Sequence, residues 1–339
     1  MKTLSPRSLA FILASLLIFS SSGAAVAQPS FSDPLSPAAS EGAFPTAPSD
    51  HSLEEIDSKE TFHEYPTPIL PEWAEEPSFK AVESKLSPEE VSDWTPTDSP
   101  KSVVVPGEMR SDREEIPGDF TKEEADLAET KEAQLQDEDT PTLNSAPGCK
   151  IYWPSPFEVC GAIRELYDSI GGPKSFLTFP KSNELPSPDG IGKRSEFVNG
   201  FIYWHPQTGA HTVSIPATVV WAKHGWEGGH FGYPVTNDIS LGNGWYQQQY
   251  QGGYIYTRNT IPVVQAGIQG RIYDKWQDMG AQKSTLGFPI SSEEKTPDGI
   301  GRYNLFQNGI MVWHPKFGAH AITGDVLLQW VYAEAIGEG

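Results

Sequence analysis

Positive charge is scarce in this chain: 24 Lys and Arg face 45 Asp and Glu, a formal net charge of −21. That balance argues against nucleic acid and anionic membrane as partners, because both attract Lys and Arg. Cysteine is nearly absent, with Cys149 and Cys160 alone. In an exported chain, two cysteines eleven residues apart read as one disulfide closing a short loop. No His or third Cys lies at a ligand-like spacing, so no metal is expected, and a paired cysteine offers no thiolate for catalysis. Long apolar runs are missing beyond the amino terminus. There, Lys2 and Arg7 flank a largely apolar stretch from Leu9 to Phe19, and Ala25-Val26-Ala27 forms a small-residue cleavage site. Residues 1–27 therefore read as a secretory signal, too short and wrongly flanked for a spanning helix. The expectation is a secreted chain starting near Gln28, with no membrane contact after cleavage.

The acidity belongs to one segment. Residues 28–146 hold 29 Asp and Glu against 8 Lys and Arg, and residues 147–339 hold 16 against 14. The segment is rich in Pro, Ser and Glu, as in Leu86-Ser87-Pro88-Glu89-Glu90 and Asp137-Glu138-Asp139-Thr140-Pro141, and has few aromatics. It buries too little apolar surface to offset its ordering entropy and is expected to be a disordered, extended linker. Glu123 to Gln136 would form at most a transient helix.

Three copies of one pattern fill residues 147–339. Leu177-Thr178-Phe179-Pro180, Phe231-Gly232-Tyr233-Pro234 and Leu286-Gly287-Phe288-Pro289 recur about every 54 residues. Ahead of each lies a helical face, such as Ile163, Leu166, Tyr167 and Ile170, with Tyr167, Trp221 and Trp276 at matching places and Gly171, Gly225 and Gly280 as stops. After the proline come a hydroxyl residue (Ser182, Thr236, Ser291) and an acid (Glu184, Asp238, Glu293), best read as satisfying turn amides. Two strands follow around Asn199-Gly200, Gly252-Gly253 and Asn308-Gly309. Gly209-Ala210-His211 and Gly318-Ala319-His320 are expected to lead into the next helix. Ile151-Tyr152-Trp153 copies the returning strand, and Asp325 to Ala335 copies the helix around Trp330. The predicted fold is mainly β with short helices: a propeller-like ring of about four units, one of them split between the chain ends. An open stack with two half-unit caps competes with it.

These residues resemble the LGFP repeat, found in exported actinobacterial proteins, often beside mycolyltransferase, amidase or esterase domains. The resemblance covers about residues 149–335 and is weaker in the second copy. It implies a wall-associated module, described as propeller-like, with arabinogalactan as the proposed ligand. The tetrapeptide residues Leu177, Phe179, Pro180, Phe231, Tyr233, Pro234, Leu286, Phe288 and Pro289 are expected to be scaffold.

Catalysis has little support in the sequence. There is no Gly-x-Ser-x-Gly elbow, and the histidines are too scattered for a zinc amidase cluster. His205 and His314, His211 and His320, and Asp189 and Asp298 sit at repeated positions, which suits structural roles better than chemical ones. No cofactor is implied. The expected function is binding of arabinogalactan or peptidoglycan, with a cell-wall enzyme as an alternative partner and a cell-wall hydrolase or acyltransferase as the remaining option. Residues freed from the repeat pattern are the candidate ligand contacts: Trp226, Trp245, Tyr246 and Tyr250, with His230 nearby. They are expected to be exposed.

Overall fold

The computed structural model describes residues 86–136, 148–296 and 298–327. The signal segment, residues 28–85, residues 137–147 and Trp330 lie outside the described residues.

Three four-stranded antiparallel sheets carry the repeats, each with its strands in chain order. The first comprises β3 (Leu185–Pro186), β4 (Lys193–Phe197), β5 (Gly200–His205) and β6 (Gly209–Ser214). The second comprises β7 (Ile239–Gly242), β8 (Trp245–Tyr250), β9 (Gly253–Arg258) and β10 (Val264–Ile268). The third comprises β11 (Glu294–Lys295), β12 (Arg302–Phe306), β13 (Gly309–His314) and β14 (Gly318–Thr323). A two-stranded pair, β1 (Lys150–Tyr152) and β2 (Ser155–Val159), precedes them. Each unit thus has four strands where the sequence suggests two. The Gly-Ala-His segments are not connectors to a helix: they open β6 and β14, which pair with β5 and β13 over six residues each.

Helices α2 (Gly161–Ser169), α3 (Ile215–Lys223) and α4 (Gly270–Asp278) stand ahead of the sheets. They pack on β5 and β6, on β9 and β10, and on β13 and β14 respectively. Each helix ends at a left-handed glycine, Gly171, Gly225 or Gly280, with φ of 109°, 88° and 100°. A side chain there would meet a steric penalty, so glycine sets the stop. Cys149 and Cys160 form a disulfide that ties β1 to the cap of α2.

Residues 86–136 correct the expectation of a disordered linker. Helix α1 (Lys122–Gln136) lies on β1 and β2, with Ala125 and Ala128 buried against Ile151 and Trp153. Leu86 and Val91 pack on Phe179, with Trp94 and Phe120 at their side. The Trp94 indole N–H donates to the Trp153 carbonyl at 2.7 Å. Arg110 is 4% exposed, its guanidinium 4.1 Å from the Trp153 ring centre and its Nε 2.7 Å from the Glu114 carboxylate. The fully buried Glu129 accepts the amides of Lys101 at 3.1 Å and Arg110 at 2.6 Å. Polar residues dominate the buried face of α1, including Asp126, Glu129, Thr130 and Glu132. Hydrophobic periodicity therefore had nothing to report there, and hydrogen bonding supplies what apolar area does not.

The seat of α1 is that of a repeat helix. Ile202 faces α2 and Ile255 faces α3. Ile151, at the same place in the strand pattern, faces α1. The chain thus begins its array with a helix and two strands. Among the described residues no sheet closes on itself into a barrel or ring. A helical turn occupies residues 324–327.

Removing the arm uncovers Ile151, Trp153 and Phe179, each of which contributes roughly 1.5–3 kcal/mol when buried. A chain of residues 137–339 is expected to be less stable than one of residues 86–339 by at least about 3 kcal/mol in urea denaturation. Equal midpoints would show the arm to be a passive neighbour.

Candidate functional site

The tetrapeptide is the joint of each unit. Its first residue, Leu177, Phe231 or Leu286, is buried. Its second, Thr178, Gly232 or Gly287, has a positive φ of 54°, 65° or 73°. That turn aims the carbonyl at the helix aromatic of the same unit. The Tyr167 hydroxyl donates to the Thr178 carbonyl, and the indoles of Trp221 and Trp276 donate to Gly232 and Gly287 at 3.0 Å. The fourth residue, Pro180, Pro234 or Pro289, bridges to Phe197, Tyr250 or Phe306.

The third residue points at the preceding unit, and here the junctions differ. Tyr233 stacks on His205 at 4.5 Å and donates its hydroxyl to Asp189 at 2.7 Å. It sits over Gly192, where any Cβ would strike its ring. In the second unit Trp245 occupies the Gly192 position, opposite Arg258 in the hairpin register. Phe288 stacks face to face on Trp245, 4.1 Å apart and 8° from parallel. Beside this pair opens a groove of about 710 Å³, lined by Leu241 to Gly244, Trp245, Arg258, Thr260, Phe288 and Gln307. Asn243, Thr260 and Gln307 stand exposed at its rim. Arg258 donates from Nε to Thr260 at 3.0 Å, and Gln307 accepts the Phe288 amide through its oxygen at 3.0 Å. The rest of the guanidinium, the amide nitrogens of Gln307 and Asn243 and the Thr260 hydroxyl are further donors along the groove.

The five candidate contacts do not meet. Trp226 is 5% exposed and stands edge-on to Trp221 at 5.4 Å and Phe201 at 5.8 Å. Tyr250 is 1% exposed in the same cluster, with its hydroxyl on Gln248 at 2.9 Å. Trp245 is 4% exposed in a different cluster. The expectation of exposure is corrected for all three. Tyr250 pairs with its tetrapeptide proline just as Phe197 and Phe306 do, so it is a repeat position after all. Aligning the second copy from its hairpin turn reveals this. Tyr246 and His230 are half-buried. Of the five, Trp245 alone lines the groove; Arg258, Thr260 and Gln307 were missed, since nothing in their spacing marks them.

The repeated polar residues serve the frame. Ser182, Thr236 and Ser291 accept the amides of Glu196, Gln249 and Leu305 at 2.9–3.0 Å. His205 and His314 accept the amides of Gln207 and Lys316 through Nδ1, and His211 and His320 bond the carbonyls of Thr208 and Phe317. Asp189 and Asp298 accept the amides of Ile191 and Ile300 in their turns. Two of the three acids form ion pairs, Glu184 with Lys193 at 2.5 Å and Glu293 with Arg302 at 3.4 Å, while Asp238 accepts the backbone amide of Ser214. Burial pushes Glu293 up to about 7, against the pull of Arg302, and Asp238 up to about 6, against its bonds to Ser214. Among the described residues, Cys149, Glu158 and Cys160 form the one cluster of metal-ligand side chains, and both thiols are committed to the disulfide. No described helix is long and apolar enough to cross a membrane.

Compared with known protein families, residues 177–229, 231–284 and 286–335 match the LGFP repeat. The chain therefore carries three LGFP repeats in tandem. No curated protein matches the chain.

Burial, with help from His224 and Arg302, pushes His230 down to about 4. The unfolded chain takes up that proton near pH 6.5. The neutral ring's contribution is thus complete above about pH 6.5 and is lost as pH falls toward 4. His230→Gln is expected to shrink the acid loss between about pH 7 and about pH 4.5 by on the order of 1 kcal/mol, discounted for the solvent around the ring. Urea denaturation at both pH values measures it. An unchanged acid slope would assign the loss elsewhere.

Proposed function

We propose that this chain is an exported, non-catalytic binding protein of the cell wall whose LGFP repeats hold an envelope polysaccharide, arabinogalactan or peptidoglycan. The observation that carries the reading is the groove between the second and third units. Its floor is the Trp245–Phe288 stack, and its rim offers Asn243, Arg258, Thr260 and Gln307. The half-buried Phe288 ring, backed by the buried Trp245, offers apolar surface to the C–H groups of a sugar ring, and the amides, hydroxyl and guanidinium suit its hydroxyls. The repeated acids and histidines are engaged in turns and ion pairs, which favours binding over chemistry. Export rests on the signal pattern in residues 1–27, and mass measurement of the secreted chain is expected to find Gln28 at its start.

The mature chain is expected to co-sediment with purified arabinogalactan, with peptidoglycan or with delipidated wall. Arg258→Ala combined with Thr260→Ala should weaken that retention about tenfold, close to 1.4 kcal/mol, without lowering thermal stability. Thr260 is exposed and the Arg258 guanidinium bonds it within the same unit, so both can be truncated while Gln307 keeps its bond to the Phe288 amide. Retention on none of the three materials would overturn the polysaccharide reading, and undiminished retention of the double variant would move the site away from this groove.

A further inference from the structure

The parts of the socket that joins the first two units recur at the end of the third, where among the described residues no other unit covers them. In the first unit its parts are Asp189, Gly192 and His205, closed by the Tyr233 ring. The third unit repeats them as Asp298, Gly301 and His314. The construction is the same: Asp298 accepts the Ile300 amide at 3.0 Å as Asp189 accepts that of Ile191 at 2.9 Å. His314 accepts the Lys316 amide at 3.1 Å as His205 accepts that of Gln207 at 3.2 Å.

What differs is the covering. A Cβ at Gly192 would meet Tyr233 of the next unit, whereas at Gly301 the three nearest atoms belong to Trp313 and Thr296 of its own. His205 is buried and His314 half-buried, while the two aspartates are both exposed. Phe317 lies on the His314 ring at 4.9 Å, yet remains 64% exposed and has no hydroxyl for Asp298. The neighbouring sheet edge is open in the same way. Thr212 of β6 gives its amide to Asn237 and its carbonyl to Gln248 of the next unit. Gly267 of β10 engages Ser292 and Asn304 likewise. Ala321 holds the same register in β14, and among the described residues no side chain takes up its amide or carbonyl.

We propose that this end of the third unit docks a tyrosine from an extended segment of a partner polypeptide. The tyrosine ring would stack on His314 and hydrogen-bond Asp298, while the segment pairs with the edge at Ala321. The occupant is read from the molecule itself, since the first socket holds a phenol with these three groups. Among the described residues the edge at Ala321 is unpaired, and its backbone donor and acceptor suit an extended peptide in the manner of strand addition. A second copy of this chain is a poor occupant, because Phe179, Tyr233 and Phe288 are all engaged in its own junctions.

The test is fluorescence anisotropy with a labelled peptide copying residues 229–240, titrated with the mature chain. Saturable binding is expected, weakened about tenfold by His314→Ala and by replacing the peptide's tyrosine with alanine. Asp298→Asn keeps the turn acceptor and removes the charge, so it probes the hydroxyl bond without disturbing the fold, and it is expected to weaken binding several-fold. Replacing the peptide's tyrosine with phenylalanine should cause a similar loss that no protein defect can imitate. Absence of saturable binding up to about 1 mM peptide would overturn the proposal, as would affinity indifferent to these changes. Displacement of the peptide by soluble arabinogalactan fragments would also overturn it, in favour of a sugar socket.

Discussion

An edge-to-face contact between a strand tyrosine and the aromatic residue of the next helix recurs along the array. Tyr152 meets Tyr167 at 4.8 Å, Tyr203 meets Trp221 at 4.7 Å and Tyr256 meets Trp276 at 5.4 Å. Each helix aromatic also bonds the carbonyl of the second tetrapeptide residue in its own unit. One side chain thereby links the preceding sheet, its own helix and its own tetrapeptide. Such pairs contribute about 0.5–1.5 kcal/mol beyond area burial. Their larger effect is geometric, because orienting the helix also orients the tetrapeptide that reaches back to the previous unit. The left-handed backbone at Gly232 and Gly287 follows from the need to aim that carbonyl.

With the frame set by these joints, the junctions between units are free to differ. The first is polar, with tyrosine, histidine and aspartate in one bonded group. The second is aromatic and has a groove beside it. The third unit ends with the polar parts in place and Val312 where the earlier units have Tyr203 and Tyr256. At the other end the acidic arm serves as the first helix of the array, with Arg110 and Trp153 at its centre. Stacked repeats need their end faces covered, and the arm does this with the buried Glu129 carboxylate satisfied by the Lys101 and Arg110 amides.

Much of the repeat was legible in the residues. The three tetrapeptides, the helix aromatics, the glycine stops and the Asn-Gly turns all lie where the pattern puts them, because each obeys a local backbone or periodicity rule. The arm was not legible: the buried face of α1 is alanine, aspartate and glutamate, which composition reads as solvent-loving. The short strands β3, β7 and β11 were equally silent, since two to four largely exposed residues leave no alternation to detect. The groove shows the same limit, as Trp245 was visible as a break in the pattern while Arg258, Thr260 and Gln307 were not.

By itself, then, the sequence determined the period, the helix ahead of each sheet and the residues that make the hairpin turns. These depend on neighbours close along the chain. The tertiary structure alone decided which aromatic rings meet solvent. Trp226 and Tyr250 look free of the pattern yet lie buried among Trp221, Phe201 and Phe231. Phe317 looks like an ordinary turn residue yet stays open on the last unit. The physical reason is that burial of a junction residue is set by the unit packed against it, and that unit lies some fifty residues away in the chain.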